Sequence, residues 1–137
     1  MKTDKIYDAL VLNDYPEKHY STWVDELLKT YETRMVKFKG FPRDIIICCG
    51  AKSVTKNAGL ALCLIHFSEP EIMLPKHEKE AMIECIPGRY VYKLTNRRSF
   101  SRKFSFSQCR VSGAFQSIFQ IKLPPDVRII KPLPLIK

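Results

Sequence analysis

Lys29, Thr30, Glu32 and Arg34 place an ammonium, a hydroxyl, a carboxylate and a guanidinium within one short stretch of chain. Side chains alternate along a strand, so Thr30, Glu32 and Arg34 share a face, with Lys29 at the entry to it. These groups suit a phosphate, the edge of a nucleobase, or acid–base chemistry. The plainer alternative is a solvated strand with a Glu32–Arg34 ion pair, and spacing alone leaves both open. A second constellation is basic and aromatic. Arg97, Arg98, Arg102, Lys103 and Arg110 interleave with Phe100, Phe104 and Phe106, while Lys52 and Lys56 stand in an earlier loop. Guanidinium groups bind phosphates and exposed rings stack on bases. The alternative is that the rings are core and the charges are solvated.

The elements that must hold these residues follow from periodicity and turn signals. Ile6 to Leu12 is a first strand, and Asn13-Asp14-Tyr15-Pro16 a turn. Ser21 or Thr22 caps a helix to about Leu28, with Asp25 and Glu26 in its first turn and Trp23, Leu27 and Leu28 on one face. Residues 30–36 form the alternating strand. Asp44 to Cys49 is an apolar run expected of a strand covered on both faces, and Ala58 to Phe67 is another, with Gly59 marking a bulge or a close backbone approach. Lys76 to Cys85 reads as a short helix. Arg89 to Leu94 reads as a strand, ended by a turn at Thr95-Asn96-Arg97-Arg98. Phe104, Phe106, Ile118, Phe119 and Ile121 mark the last strands, and Pro124, Pro125, Pro132 and Pro134 an extended tail.

The chain has 137 residues, which predicts a single domain over residues 1–124 followed by a proline-containing tail over 125–137. Its formal net charge of +9 favours attraction to polyanions and says little about fold. The five cysteines are odd in number, lack a C-x-x-C pair and sit mostly in apolar runs, which predicts reduced thiols in a cytoplasmic protein. The charged start, Met1 to Lys5, precedes no leader-like apolar segment, and no run has the length of a membrane span. Neither a membrane nor a metal is expected as a partner. Cys63 and His66 diverge on a predicted strand, Cys48 and Cys49 are adjacent, and no zinc spacing occurs. His19, His66 and His77 are expected in a loop, a strand and at the surface, without a nucleophile at motif spacing. No phosphate-binding or dinucleotide fingerprint occurs, so no cofactor is expected.

The residues quoted above resemble the ASCH domain, the activating-signal-cointegrator homology branch of the PUA-like folds. That family carries the motif G-x-K-T-x-E-x-R between its first helix and second strand. Lys29, Thr30, Glu32 and Arg34 stand in the four polar positions, Leu27 stands at the glycine, and His19-Tyr20 replaces a frequent Pro-Trp. Lys39-Gly40 and the strand Ile45 to Cys49 are similar to the family's Arg-Gly and apolar strand. Tyr90 to Phe100 resembles its strand and basic turn, and Gln116 to Ile121 its closing strand. The resemblance runs from about residue 6 to residue 123.

It implies a mainly-β α+β fold, a PUA-like partly closed mixed β-barrel of about six strands with one or two flanking helices. The implied function is binding of RNA, or of a nucleotide or nucleoside, in a basic cleft. Lys29, Thr30 and Arg34 would contact phosphate or a base edge, Glu32 would orient Arg34 or accept from an exocyclic amine, and Lys52, Arg97 and Arg98 would add phosphate contacts. Some small ASCH proteins resemble amidohydrolases acting on acylated cytidine, using a lysine, a threonine three residues on and a distant glutamate. Lys29 fits, but Glu32 stands three residues on, so Thr30 and Glu84 are the nearest candidates. A hydrolase of RNA or of an acylated nucleoside is therefore the alternative. A protein–protein module using Trp23 or the tail is the second.

Overall fold

In the computed structural model, residues 5–130 are described. Pro132 and Pro134 of the expected tail, and Met1 to Asp4, lie outside them. In chain order the elements are β1 (Ile6–Leu12), α1 (Tyr20–Asp25), β2 (Tyr31–Arg34), β3 (Arg43–Cys49), β4 (Leu60–Phe67), β5 (Glu71–Ile72), a 3-10 turn (Pro75–His77) running into α2 (Glu78–Ala81), β6 (Tyr90–Ser105), a 3-10 turn (Ser107–Cys109), β7 (Arg110–Ser112), β8 (Phe119–Lys122) and β9 (Ile129–Ile130).

The strands form a mixed nine-stranded sheet in the order β2-β6-β4-β3-β1-β8-β7, with β5 and β9 added to β6. Among the described residues only β1 and β3 pair in parallel. The path ends at β2 and β7 do not meet, so the sheet is open rather than a partly closed barrel of about six strands. The higher strand number comes from the short strands β5, β7 and β9, while β6 joins two expected strands into one. Where a turn was expected at Thr95 to Arg98, β6 continues for 16 residues. Asn96 takes the bend with φ 50, a conformation asparagine tolerates, and the register with β4 shifts there from Leu64↔Arg98 to His66↔Thr95. Pairing resumes on both sides of the bulge, so the strand is bent and not broken.

Both faces of the sheet are buried. Along β3, Ile46 and Cys48 enter one core with Phe100, Phe104 and Phe119, while Ile45 and Ile47 enter the other with Leu10, Val24 and Tyr92. This is why β3 reads as a continuous apolar run. The rings of Phe100, Phe104 and Phe106 all lie in the first core, so they are packing residues and not exposed stacking surfaces. Gly59 precedes β4 at φ +80 with no heavy atom near its missing side chain, so its role is the backbone turn and not a close approach. A third, smaller core joins Met73, Ala81 and Val91 beneath α2. The long crossover from β1 to its parallel neighbour β3 carries both α1 and β2, and thereby the Lys29–Arg34 segment.

Candidate functional site

Helix α1 starts and ends earlier than its sequence predicts and is capped differently. Neither Ser21 nor Thr22 caps it. Instead the buried carboxylate of Asp14, in the turn before, accepts from the Ser21 and Thr22 amides at 2.9 and 3.2 Å and from the hydroxyls of Ser21, Thr22 and Thr55. An acceptor borrowed from outside the helix satisfies donors that a local cap would otherwise serve. Burial pushes the Asp14 carboxyl up, but the hydroxyl and amide donors outweigh it and hold its pKa below the ordinary 3.8. Asp25 is the last helical residue, not a first-turn one, and Leu27 and Leu28 are exposed beyond the helix rather than packed on its face.

The helix ends in a Schellman turn. Leu28 N–H donates to the Trp23 carbonyl at 2.8 Å and Leu27 N–H to the Val24 carbonyl at 3.1 Å, with Leu27 in the left-handed region at φ 61. Glycine is the usual residue there, because a Cβ in this conformation meets the following carbonyl. The position where the motif has glycine is thus the turn that reverses the chain into β2, and here a leucine makes the same turn. Lys29 N–H closes it with a further bond to the Trp23 carbonyl at 3.0 Å.

The turn delivers Lys29 to the wall of a cleft of about 240 Å³, lined also by Tyr20, Glu32, Thr33, Arg34, Ile83 and Arg89. Lys29 is 2% exposed, and its ammonium donates to the Ala81 carbonyl of α2. It stands 5.4 Å from the centre of the Tyr20 ring and 3.8 Å from Glu32 Oε1. The other Glu32 oxygen lies 2.9 Å from Arg34 Nε, and the Arg34 guanidinium lies over Phe38. Arg89 donates to Thr33 Oγ1 at 3.0 Å. Three cations and one carboxylate therefore line one concave site, with Lys29 and Arg34 flanking the carboxylate. Burial lowers the Lys29 pKa below the ordinary 10.5; Glu32 opposes the shift, while Arg34 and Arg89 reinforce it. The site can accept an anion, read a donor with Glu32, or use Lys29 as a proton donor and acceptor.

Of the residues singled out in the sequence, the structure brings Lys29, Glu32 and Arg34 together in this cleft. Thr30 turns away to α2, where its amide donates to the Glu80 carbonyl and its hydroxyl to Glu80 Oε2 at 3.2 Å. Glu84 is exposed and is not among the residues lining the cleft. Lys52 lines a neighbouring cavity. Arg97 and Arg98 stand on the bent part of β6, outside the cleft, each on its own carboxylate: Arg97 on Asp25 at 2.7 Å and Arg98 on Asp44 at 3.1 Å. Asp44 also takes His66 at 2.8 Å. His77 is buried rather than at the surface; its ring accepts from the Leu74 amide and packs on Tyr31.

The sequence reading missed Tyr20, Thr33 and Arg89 as cleft residues. Arg89 is the instructive case. β2 and β6 pair antiparallel with Arg34 opposite Tyr90, so the residue before Tyr90 arrives beside the site. Only the strand register says so. A basic residue after a glycine carries no local mark of it.

All five cysteines are free thiols. The Cys63 thiol is pushed up by burial and then by the nearby Asp25 carboxylate, away from nucleophilic use. Among the described residues no group of three or more His, Cys, Asp or Glu could hold a metal ion, and no helix is long and apolar enough to cross a membrane.

No family model matches the sequence, and no curated protein matches it. The fold has a counterpart among solved structures. The chain is similar to the crystal structure of ASCH from Zymomonas mobilis, with a TM-score of 0.54 and 14% sequence identity over 74% of each chain. The large mixed sheet with few short helices is thus an ASCH-like fold, and the resemblance noted in the motif extends to the backbone.

Proposed function

We propose that the protein binds RNA, or a nucleotide-sized piece of it, in the cleft between α1, β2 and the start of β6. The observation that carries this reading is the three-to-one ratio of cations to carboxylate in a cleft of about 240 Å³. The excess charge suits a phosphate. Glu32, pinned between Lys29 and Arg34, suits an exocyclic amine. The volume suits a nucleotide unit rather than a duplex. The motif and the ASCH-like fold support the same reading, and a cytoplasmic location would be compatible with it. Arg97 and Arg98 have no part in this binding, because their guanidinium groups already hold carboxylates.

A short fluorescent single-stranded RNA tests this at two salt concentrations. With two phosphate contacts, a fourfold rise in salt lowers affinity roughly sevenfold through counterion release. The Arg34→Ala variant, alone and combined with Lys29→Ala, loses that binding. Arg34→Ala is the cleaner probe, since Lys29 also tethers α2. Binding that is indifferent to salt, or that survives both variants in folded protein, overturns the reading.

A hydrolytic reading is favoured by one observation: Lys29 combines burial, a lowered pKa and a carboxylate at 3.8 Å inside the cleft. Its acid–base partner would then be Glu32, since Thr30 and Glu84 point or lie elsewhere. Absence of turnover by the unmutated protein on RNA and on acylated nucleosides removes it.

A further inference from the structure

Beside the charged cleft lies a second cavity of about 500 Å³, and the two share Val11, Asn13 and Tyr15 as a common wall. Resting on the reading above, we propose that they form one site for two successive nucleotides of a single strand, with the Tyr15 ring as the divider on which a base stacks.

The two cavities differ in chemistry. The first is lined by Lys29, Arg34 and Arg89 with Glu32 as its carboxylate. The second is walled by the rings of Phe106 and Phe115, with Ser53, Ser107 and Gln116 as neutral polar groups and Lys52 as its cation. Asp14 also borders it, but its carboxylate is spent on Ser21, Thr22 and Thr55. A near-neutral aromatic pocket beside a positive one fits a base next to a phosphate-bearing nucleotide. It does not fit a second isolated anion.

Tyr15 has the properties of a platform. Tyr15 is 51% exposed, and its ring makes an edge contact with Tyr20 at 6.1 Å that leaves a face open. Its backbone is fixed all the same. Tyr15 and Lys18 exchange hydrogen bonds at 2.9 and 3.3 Å, and the preceding Asp14 is held by Ser53 Oγ at 2.8 Å and by the Val54 amide at 3.0 Å. An exposed ring on a rigid base orders little further on binding, so stacking on it is realised as affinity. Base–aromatic stacking is tolerant of base identity, which suits a strand reader whose remaining contacts are charges.

The test compares mixed nucleoside 5′-monophosphates with mixed 5′-phosphorylated dinucleotides, titrated into the unmutated protein, Tyr15→Ala and Tyr15→Phe. The dinucleotides bind the unmutated protein about tenfold more tightly than the mononucleotides, the low-to-middle range for one stacked base. Tyr15→Ala brings that ratio close to one, and Tyr15→Phe keeps it because the ring remains. Equal affinity of the unmutated protein for both probes overturns the two-nucleotide site while leaving the charged cleft as a nucleotide site. A tenfold ratio that persists in Tyr15→Ala also overturns it, since the second nucleotide then lies elsewhere. Failure of both probes to bind removes the nucleotide reading of the cleft and this inference with it.

Discussion

The two basic stretches of this chain meet opposite fates. Around β2, Lys29 and Arg34 are joined by Arg89 and share Glu32 between them. Along the bent half of β6, carboxylates match the cations closely: Arg97 and Lys103 hold Asp25, Arg98 holds Asp44, and Arg102 holds Asp126 at 2.8 Å through both nitrogens. Both regions look like phosphate-binding surfaces in the sequence. In three dimensions one is a concave excess of positive charge and the other is a set of ion pairs that tie α1, β3 and the segment before β9 to β6. Formal net charge measures the excess of cations over anions, and pairing decides which cations are free to meet a ligand.

This difference can be broken most directly at Arg97. Asp25 is 9% exposed and depends on Arg97 and Lys103. Arg97→Ala should therefore destabilise the fold by about 3 kcal/mol in urea unfolding, the low end for a broken buried pair because Lys103 remains. RNA affinity per folded molecule stays as it was. Weakened RNA binding in an undiminished fold would show that Arg97 serves the ligand and that the two regions do not differ as described.

A smaller effect sharpens the account of the cleft. Leu27 holds a left-handed conformation while its side chain is 57% exposed, so it is strained and contributes little packing. Leu27→Gly relieves that strain and raises stability by about 1 kcal/mol at most, after the extra backbone entropy of glycine is subtracted. A lower unfolding midpoint in urea would mean that the leucine makes a contact worth more than the strain.

The smallest effect is expected at Arg102. It and Asp126 are both at the surface, where an ion pair is screened and adds little. Arg102→Ala leaves the melting temperature and the salt dependence of RNA binding unchanged. A clear change in either would move this part of β6 from clamp to binding surface.

Much of the architecture is legible locally. Ile6 to Leu12 is a strand as read, and the apolar runs leading into β3 and β4 announce strands buried on both faces. The Lys29, Glu32, Arg34 grouping is equally local, because a turn and a short strand keep neighbouring residues together. The misread elements depend on distant partners. Asp14 replaces a local cap and so shifts the start of α1, the pairing of β6 with β4 carries a strand through an expected turn, and α2 takes the Thr30 hydroxyl out of the cleft.

What the sequence determined by itself is the set of short-range outcomes: strand periodicity, the buried runs and the charged cluster of Lys29, Glu32 and Arg34. These follow from steric preference and hydrophobic spacing within a few residues. Only the tertiary structure decided which charges are paired, which ring stands at the junction of two cavities and which arginine completes the cleft. Those outcomes depend on strand register and on contacts between residues far apart in sequence. Arg89 reaches the site through the pairing of Arg34 with Tyr90, and Arg97 is drawn from it by Asp25 on a helix seventy-two positions earlier.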